Sequence, residues 1–544
     1  MIGYFSAAAR HESLATLERT PFDILVIGGG ITGAGIARDA AGRGLSVALV
    51  ERDDFASGTS SRSSRLVHGG IRYLEQARLK LVFESSRERR TLLRIAPHLV
   101  RPLQFVWPLY EHARVPGWKL IAGLLLYDTL ALFRNVARHR RLDAEAVAEL
   151  EPALRQLRLR GGAMYFDAAT DDARLTLANA RSAAELGATV VNHVEVRKLM
   201  LRDGAVTGAL AADTLSVRTL SIHARLTINA CGPWSDDIRR LADPHATPSL
   251  RGTKGVHVAV SRQRIRNRAA LTLLSPIDGR VIFVLPSGHL TIIGTTDSEF
   301  TADAGSARAT RDDITYLLRS ANAFFPAAHL APSDVVSAWA GIRPLVGADG
   351  DPSSRSREHS IAWTVPGLLT VTGGKLTTYR SMAASAVDAA AGKIARAGTR
   401  PARTDTAPLP GGRFRSLEEE LAEASAVVGE AEVAEHLVHS YGSEWRKVWS
   451  LAREDDTLAA PLAPSLPYIL AELRHAVEQE MASTLSDLLI RRLHLAFETH
   501  DHGISVAPTV ARIVAPLLGW TQERIERELL RYDDDIARMF GITN

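Results

Sequence analysis

Three glycines, Gly28, Gly30 and Gly33, follow the spacing G-x-G-x-x-G within the stretch Asp23 to Glu51. That pattern suits a dinucleotide: a turn without Cβ lets backbone approach a pyrophosphate, the third glycine lets a helix pack on its strand, and a later carboxylate can accept from ribose hydroxyls. Glu51 supplies the carboxylate roughly twenty residues on. An acid there also disfavours a ribose bearing a 2′-phosphate. Directly behind lies RDDFASGTSSRSSRLVHGGIRYLE, which gathers hydroxyl side chains, His68, two glycines, Arg72 and Tyr73. Such hydroxyls can cap a helix or donate to phosphate and ring atoms, and paired glycines admit backbone close to a flat ring. A serine-rich linker would have no use for the aromatic and cationic residues that follow the serines. LLTVTGGKLTTYR, Leu368 to Arg380, holds a second glycine turn, offering further backbone N–H groups at a helix start. The stretch NACGPW puts small residues where a cofactor would cross the edge of a parallel sheet. Its Cys231, the single cysteine, reads as a packed residue because no base adjoins it; alone, it excludes an internal disulfide and a multi-cysteine metal site. No metal site is expected, and the histidines from His436 to His502 are too scattered to suggest ligation.

The elements that must position these residues follow from periodicity. Ile24 to Ile27 form a β-branched run typical of a buried parallel strand, and Leu45 to Val50 form the second strand of a complete βαβ unit. Gly162 to Asp172 and Ala173 to Leu186 read as strand, turn and helix; Val190 to Val196 and Leu226 to Ala230 read as further strands. Gly252 to Val260, Val281 to Leu285 and Leu290 to Thr295 have the look of antiparallel strands, which predicts a separate covering sheet. After it, Ala338 to Leu345 places Arg343 behind a strand-like stretch, where parallel-type features are expected to resume. The first 20 residues read as a loose lead-in, and Leu79 to Ile95 as a solvated amphipathic helix without chemistry. From Gly398 to Arg415 the composition is that of a linker, and Leu417 to Asn544 predict a small all-α appendage.

Composition bounds the rest. The chain has 544 residues, too many for one ordinary core; 46% are apolar and 23% charged, as in ordinary globular proteins. Net charge is only +4, which suits an anionic small substrate or lipid surface, and no aromatic and basic platform for nucleic acid stands out. Segment 97–141 mixes apolar runs with Arg101, Arg114, Lys119, Arg134, Arg138, Arg140 and Arg141. A monotopic membrane contact and a buried helix with a basic end account for it equally well. The longest apolar stretch, Trp118 to Phe133, is broken by Lys119 and Asp128 and is too short to span a bilayer.

The segments VIGGGITGAGIARDAAGRGLSVALVE, TSSRSSRLVHGGIRYLE, DDARL, NACGPWSD, KGVHV, IIGTTD, GIRPL and GGKLTTYR, in this order, resemble the FAD-dependent, quinone-linked glycerol-3-phosphate dehydrogenases. The resemblance implies an α/β, glutathione-reductase-like FAD-binding Rossmann domain with an inserted antiparallel cap, plus a C-terminal all-α domain. Expected boundaries are 1–400 for the oxidoreductase domain, with FAD-binding pieces at about 20–110, 180–250 and 335–400 and cap pieces at about 111–180 and 251–334; 401–415 is the linker and 416–544 the helical domain. It further implies oxidation of sn-glycerol 3-phosphate to dihydroxyacetone phosphate, with hydride passing from C2 to flavin N5 and electrons onward to membrane quinone. A glycerol-3-phosphate oxidase using dioxygen, or a flavin oxidoreductase of 2-hydroxy or amino acids, is the alternative. Arg72 and Arg343 are the phosphate candidates, since Arg makes bidentate phosphate contacts. Similarity places Tyr73 and Lys375 near substrate and His68 and His257 in the catalytic set, either histidine serving as base. Expected cofactor contacts are Gly28, Gly30, Gly33, Glu51, Ser60, Ser61, Ser64, Val194, Gly232, Gly374, Leu376 and Thr377. The expected setting is cytoplasmic, peripheral on the inner face of the membrane, with a homodimer among the expected partners and no nucleic acid.

Overall fold

The computed structural model describes residues 5–74, 78–132, 135–346, 359–394 and 399–544. Its first sheet grows from Phe22–Ile27, a strand buried along its whole length as the unbroken apolar run requires. Five strands run parallel in the order Leu368–Gly373, Thr219–Asn229, Phe22–Ile27, Val47–Val50 and Thr189–Val191. The helices Ile31–Gly42, Asp172–Glu185 and Tyr379–Ile394 pack apolar side chains on one face, and Arg10–Arg19 and Ser235–Ala242 pack on the other. This is the doubly wound architecture that the βαβ unit predicts.

The second sheet has ten strands, with Leu250–Ser261 pairing on Val335–Val346, Leu290–Gly294 and Ser298–Phe300. It is antiparallel except where Ala270–Leu274 runs parallel to Val100–Tyr110. Three of its strands lie where the sequence division put nucleotide-binding pieces, namely Leu66–Val67 and Val100–Tyr110 within 20–110 and Val335–Val346 within 335–400. The strand Val335–Val346 does not return to parallel pairing. Its Ala338, Ala340 and Ile342 share a core with Val256 and Val258 of its antiparallel neighbour, and that burial decides its sheet.

Four further expectations change. The lead-in is no loose tail: Arg10–Arg19 is a helix with Leu17 fully buried, and the Arg10 guanidinium meets Asp213 at 2.5 Å. The linker is a strap laid on the nucleotide-binding sheet's helices, with Leu409 buried, Arg38 donating to the Ala407 carbonyl at 2.6 Å and Thr404 donating to Asp39 at 2.9 Å. Nor is the C-terminal domain an appendage. Leu473, Leu488 and Phe497 share one core with Phe105 and Trp339 of the second sheet. The helix Leu79–Ile95 has the expected bounds, yet Ser85, Ser86, Glu88 and Arg89 are buried, with Glu88 taking both donors of Arg380 at 2.6 and 2.7 Å. No helix among the described residues is long and apolar enough to cross a membrane.

Candidate active site

Where the first sheet's carboxyl edge meets the second sheet lies a cavity of about 590 Å³. It is within the usual size of a small-molecule or cofactor site. At its floor Phe22–Ile27 ends in Gly28, whose φ of +109° and close approach to the Ala230 carbonyl leave no room for a Cβ, which would stand 2.7 Å from that oxygen. Gly30 lines the cavity and Gly33 does not: a Cβ on Gly33 would fall 1.8 Å from the Gly28 carbonyl, so this glycine lets the helix Ile31–Gly42 lie against the turn. Ser60 reaches the start of that helix and its hydroxyl accepts from the Ile31 N–H at 3.0 Å. Ser61 is buried outside the cavity lining, its hydroxyl unpartnered, which removes it as a direct cofactor contact in this structure.

Glu51 lines the same space. Its carboxylate accepts from Gly29 N at 2.6 Å and Asp53 N at 3.0 Å, and burial raises its pKa while those N–H donors oppose the rise. Ser64, Val194, Gly232, Gly374, Leu376 and Thr377 complete the expected set along the lining. Cys231 is also there; burial drives its thiol pKa far upward and its Sγ donates to the Ile27 carbonyl at 3.2 Å, so it is no nucleophile. Gly373 and Gly374 turn at φ of +74° and +82°, bringing Lys375 to the far end of the cavity.

That far end holds the polar side chains. His68, Tyr73, His257, Arg343 and Lys375 all line it. The Lys375 ammonium sits 3.7 Å from the centre of the Tyr73 ring and donates to Ser85 at 3.4 Å, giving the helix Leu79–Ile95 a place in the site after all. Arg343 donates to Asp297 at 2.9 Å and Thr295 at 2.9 Å, so its planar fork is aimed. His257 stacks on Trp339 with centroids 5.4 Å apart and meets Ser64 Oγ through Nε2 at 2.8 Å. Burial, with Arg343 and Arg65 nearby, pushes its pKa down to about 3. The backbone of Arg72 lies in the short turn Ile71–Leu74 between His68 and the helix, and its side chain is outside the described residues. Sequence reasoning gave no role to Asp297 and Thr295, although both stand within IIGTTD, nor to Trp234 at the end of NACGPW, which faces the cavity with the Arg52 guanidinium 4.4 Å over its ring.

The geometry fits a long dinucleotide at one end and a small anionic substrate at the other. In particular, Gly30 lines the cavity with only Ser60 Oγ close to where a Cβ would stand, at 3.2 Å, leaving a cradle for a pyrophosphate that a side chain would fill. Residues 23–380 match the FAD dependent oxidoreductase family, and residues 402–525 match the C-terminal domain of alpha-glycerophosphate oxidase. The chain is an FAD-dependent oxidoreductase. Among its relatives, the glycerol-3-phosphate dehydrogenase of Mycobacterium leprae is 39% identical over 97% of this chain and 91% of its own. The aerobic glycerol-3-phosphate dehydrogenase of Bacillus subtilis is 35% identical over 90% of each. The structure of the glycerol-3-phosphate dehydrogenase from Bacillus halodurans complexed with FAD superposes with a TM-score of 0.81, at 33% identity and 98% coverage of both chains. The chain belongs to the glycerol-3-phosphate dehydrogenase family.

Proposed function

We propose that the protein oxidises sn-glycerol 3-phosphate to dihydroxyacetone phosphate and passes the electrons to a membrane quinone. The observation that carries the substrate is the convergence of Arg343, Lys375, Tyr73, His68 and His257 on one end of the cavity that the glycine turns open. Bound FAD supplies the hydride acceptor for C2. Arg343, aimed by Asp297 and Thr295, grips the phosphate, and Lys375, held over Tyr73, adds a second cation. The proton of the C2 hydroxyl must go to a base. His257 is a poor one, since burial and two arginines disfavour its imidazolium; its bond to Ser64 makes it an orienting group, and His68 takes the proton.

The acceptor reading rests on the helix Gly117–Leu130. Trp118 is 76% exposed and Leu125 53% exposed, with Leu126 and Leu132 beside them, while Leu120, Leu124 and Tyr127 are buried on the opposite side. Lys119, Arg138, Arg140 and Arg141 are exposed nearby in sequence; Arg101, by contrast, pairs with His439 at the joint with the helical domain. An apolar helix face with basic neighbours suits the inner face of a membrane, where a quinone dissolves. Anaerobic mixing with glycerol 3-phosphate should bleach the flavin absorbance, and quinone in vesicles should restore it faster than air. Rapid recovery in air with stoichiometric peroxide would instead assign an oxidase.

A further inference from the structure

Behind the Glu51 end of the cavity the first sheet's loops meet the C-terminal domain in a fully buried polar knot. A wide turn of π type, Asp487–Arg492, projects two arginines toward Asp54. Arg491 Nε donates to Asp54 at 2.6 Å, and Arg492 donates to both its oxygens, at 2.6 and 3.0 Å. Asn192 also donates to Asp54, at 2.9 Å. His193, at φ of +55°, meets Asp487 at 3.0 Å, and Asp487 takes Arg491 at 2.8 Å. The ligand-type atoms of Asp54, His193 and Asp487 lie within 4.8 Å of one another, but those guanidiniums and the Ser483 and Thr484 N–H groups already occupy the carboxylate oxygens, so a cation has no place.

What the knot does follows from what adjoins it. Asp54 closes the loop that carries Glu51 and Arg52 into the cavity, and His193 immediately precedes Val194, which also lines it. The two loops are tied by His193 N donating to the Asp53 carbonyl at 2.6 Å and Val194 N donating to the Glu51 carbonyl at 2.7 Å. We propose that the C-terminal helical domain is a cofactor-retention element: its turn Asp487–Arg492, acting through Asp54 and His193, clamps the two loops that form the Glu51 end of the FAD cavity. Arg491 and Arg492 are not in the cavity lining and are positioning residues; they fix where Glu51 and Val194 stand. Fixing them in advance lowers the ordering cost of binding, which is where affinity is gained.

The test is FAD affinity, measured by titrating deflavinated full-length protein and following flavin fluorescence; it rests on the cavity being the FAD site, and a wild-type protein that took up no FAD would fail that reading before the clamp is reached. Arg492→Lys and Asp54→Asn keep volume and part of the bonding, sparing the fold the bare buried charge that Arg492→Ala would leave. Each should raise the FAD dissociation constant about tenfold or more, the worth of one charge-assisted hydrogen bond. At saturating FAD the Michaelis constant for glycerol 3-phosphate should stay unchanged, because the substrate end is built by other segments. Arg181→Gln is the control: it breaks a contact of the same domain with Glu444 at 2.6 Å, away from the cavity, and should leave FAD affinity alone. A folded Arg492→Lys protein with wild-type FAD affinity, or an Arg181→Gln protein that loses FAD to the same degree, overturns the clamp.

Discussion

Arg343 meets three demands at once: it must be charged, planar and held. Asp297 and Thr295 hold it, at the cost of one carboxylate that competes with any incoming phosphate. Removing a charge-assisted bond of this kind costs about 1.5–3 kcal/mol, and each 1.4 kcal/mol is about tenfold in affinity. Arg343→Ala should therefore raise the Michaelis constant for glycerol 3-phosphate at least tenfold, by the same arithmetic. Arg343→Lys should recover part of it, since an ammonium keeps charge and loses the fork. Steady-state kinetics on glycerol 3-phosphate and on glycerol check this: equal losses on both substrates would take the phosphate role from Arg343. The glycines separate differently. Gly30→Val should abolish FAD uptake in a protein that still folds, because its side chain would enter the cavity with only Ser60 Oγ close by, at 3.2 Å from the Cβ position. Gly33→Val should fail to fold as well, the clash being with backbone at 1.8 Å; circular dichroism beside flavin content distinguishes the two. At this scale the placement of Gly28, Gly30 and Glu51 around one cavity was legible in the sequence, because it is local and follows from spacing. Sequence reasoning gave no role to Asp297 or Ser85, which act on the site through Arg343 and Lys375, partners that stand far from them along the chain.

An element is legible when its own residues decide its fate. The run Phe22–Ile27 could only be a doubly buried strand, and Leu79–Ile95 shows the expected helix end to end. Val335–Val346 could not be assigned from its own pattern, since a strand at the joint of two sheets carries a buried face whichever sheet it joins; the shared core with Val256 and Val258 chooses. The helix Gly117–Leu130 posed the same ambiguity as a membrane contact or a buried helix. One face is buried, with Leu120, Leu124 and Tyr127 inward, and the other is exposed, with Trp118 and Leu125 outward, so the buried-helix reading accounts for only half of it. Fully burying one large apolar side chain is worth about 1.5–3 kcal/mol. Trp118→Lys and Leu125→Lys should each weaken binding to anionic vesicles about tenfold or more by that estimate. Added salt should weaken the wild type further by screening the basic rim. Vesicle flotation at low salt, with soluble-dye reductase activity as the control for folding, reads both effects. Variants that float as well as the wild type would move the contact elsewhere.

The molecule as a whole is stitched by buried polar joints, and several of these carry a histidine kept neutral. Burial, helped by Arg174 and Arg101, pushes the His98 pKa down to about 3; burial beside Arg101 does the same for His439, and burial brings His475 to about 4. All three stand between the helical domain and the sheets or within that domain's core: His98 packs at Gly411 and Gly442, His439 meets Arg101, and His475 stacks edge-on against Tyr441. With His257 they make four groups whose folded pKa lies far below the ordinary value of about 6.5. Below that value the unfolded chain binds protons the folded chain refuses, so stability rises with pH. Their contribution is fully present above about pH 6.5 and is lost progressively as pH falls toward about 3 to 4. Denaturant midpoints should accordingly fall steeply between about pH 6.5 and 4.5, before most ordinary carboxylates titrate. His98→Gln should flatten that slope by about one proton, because a neutral amide has no charged form to exclude. The substitution should also cost some stability at pH 8, where packing alone is felt. A slope identical to wild type across the interval would show that His98 titrates normally in the folded chain, and that the joint between the helical domain and the sheets is wetter than its burial implies.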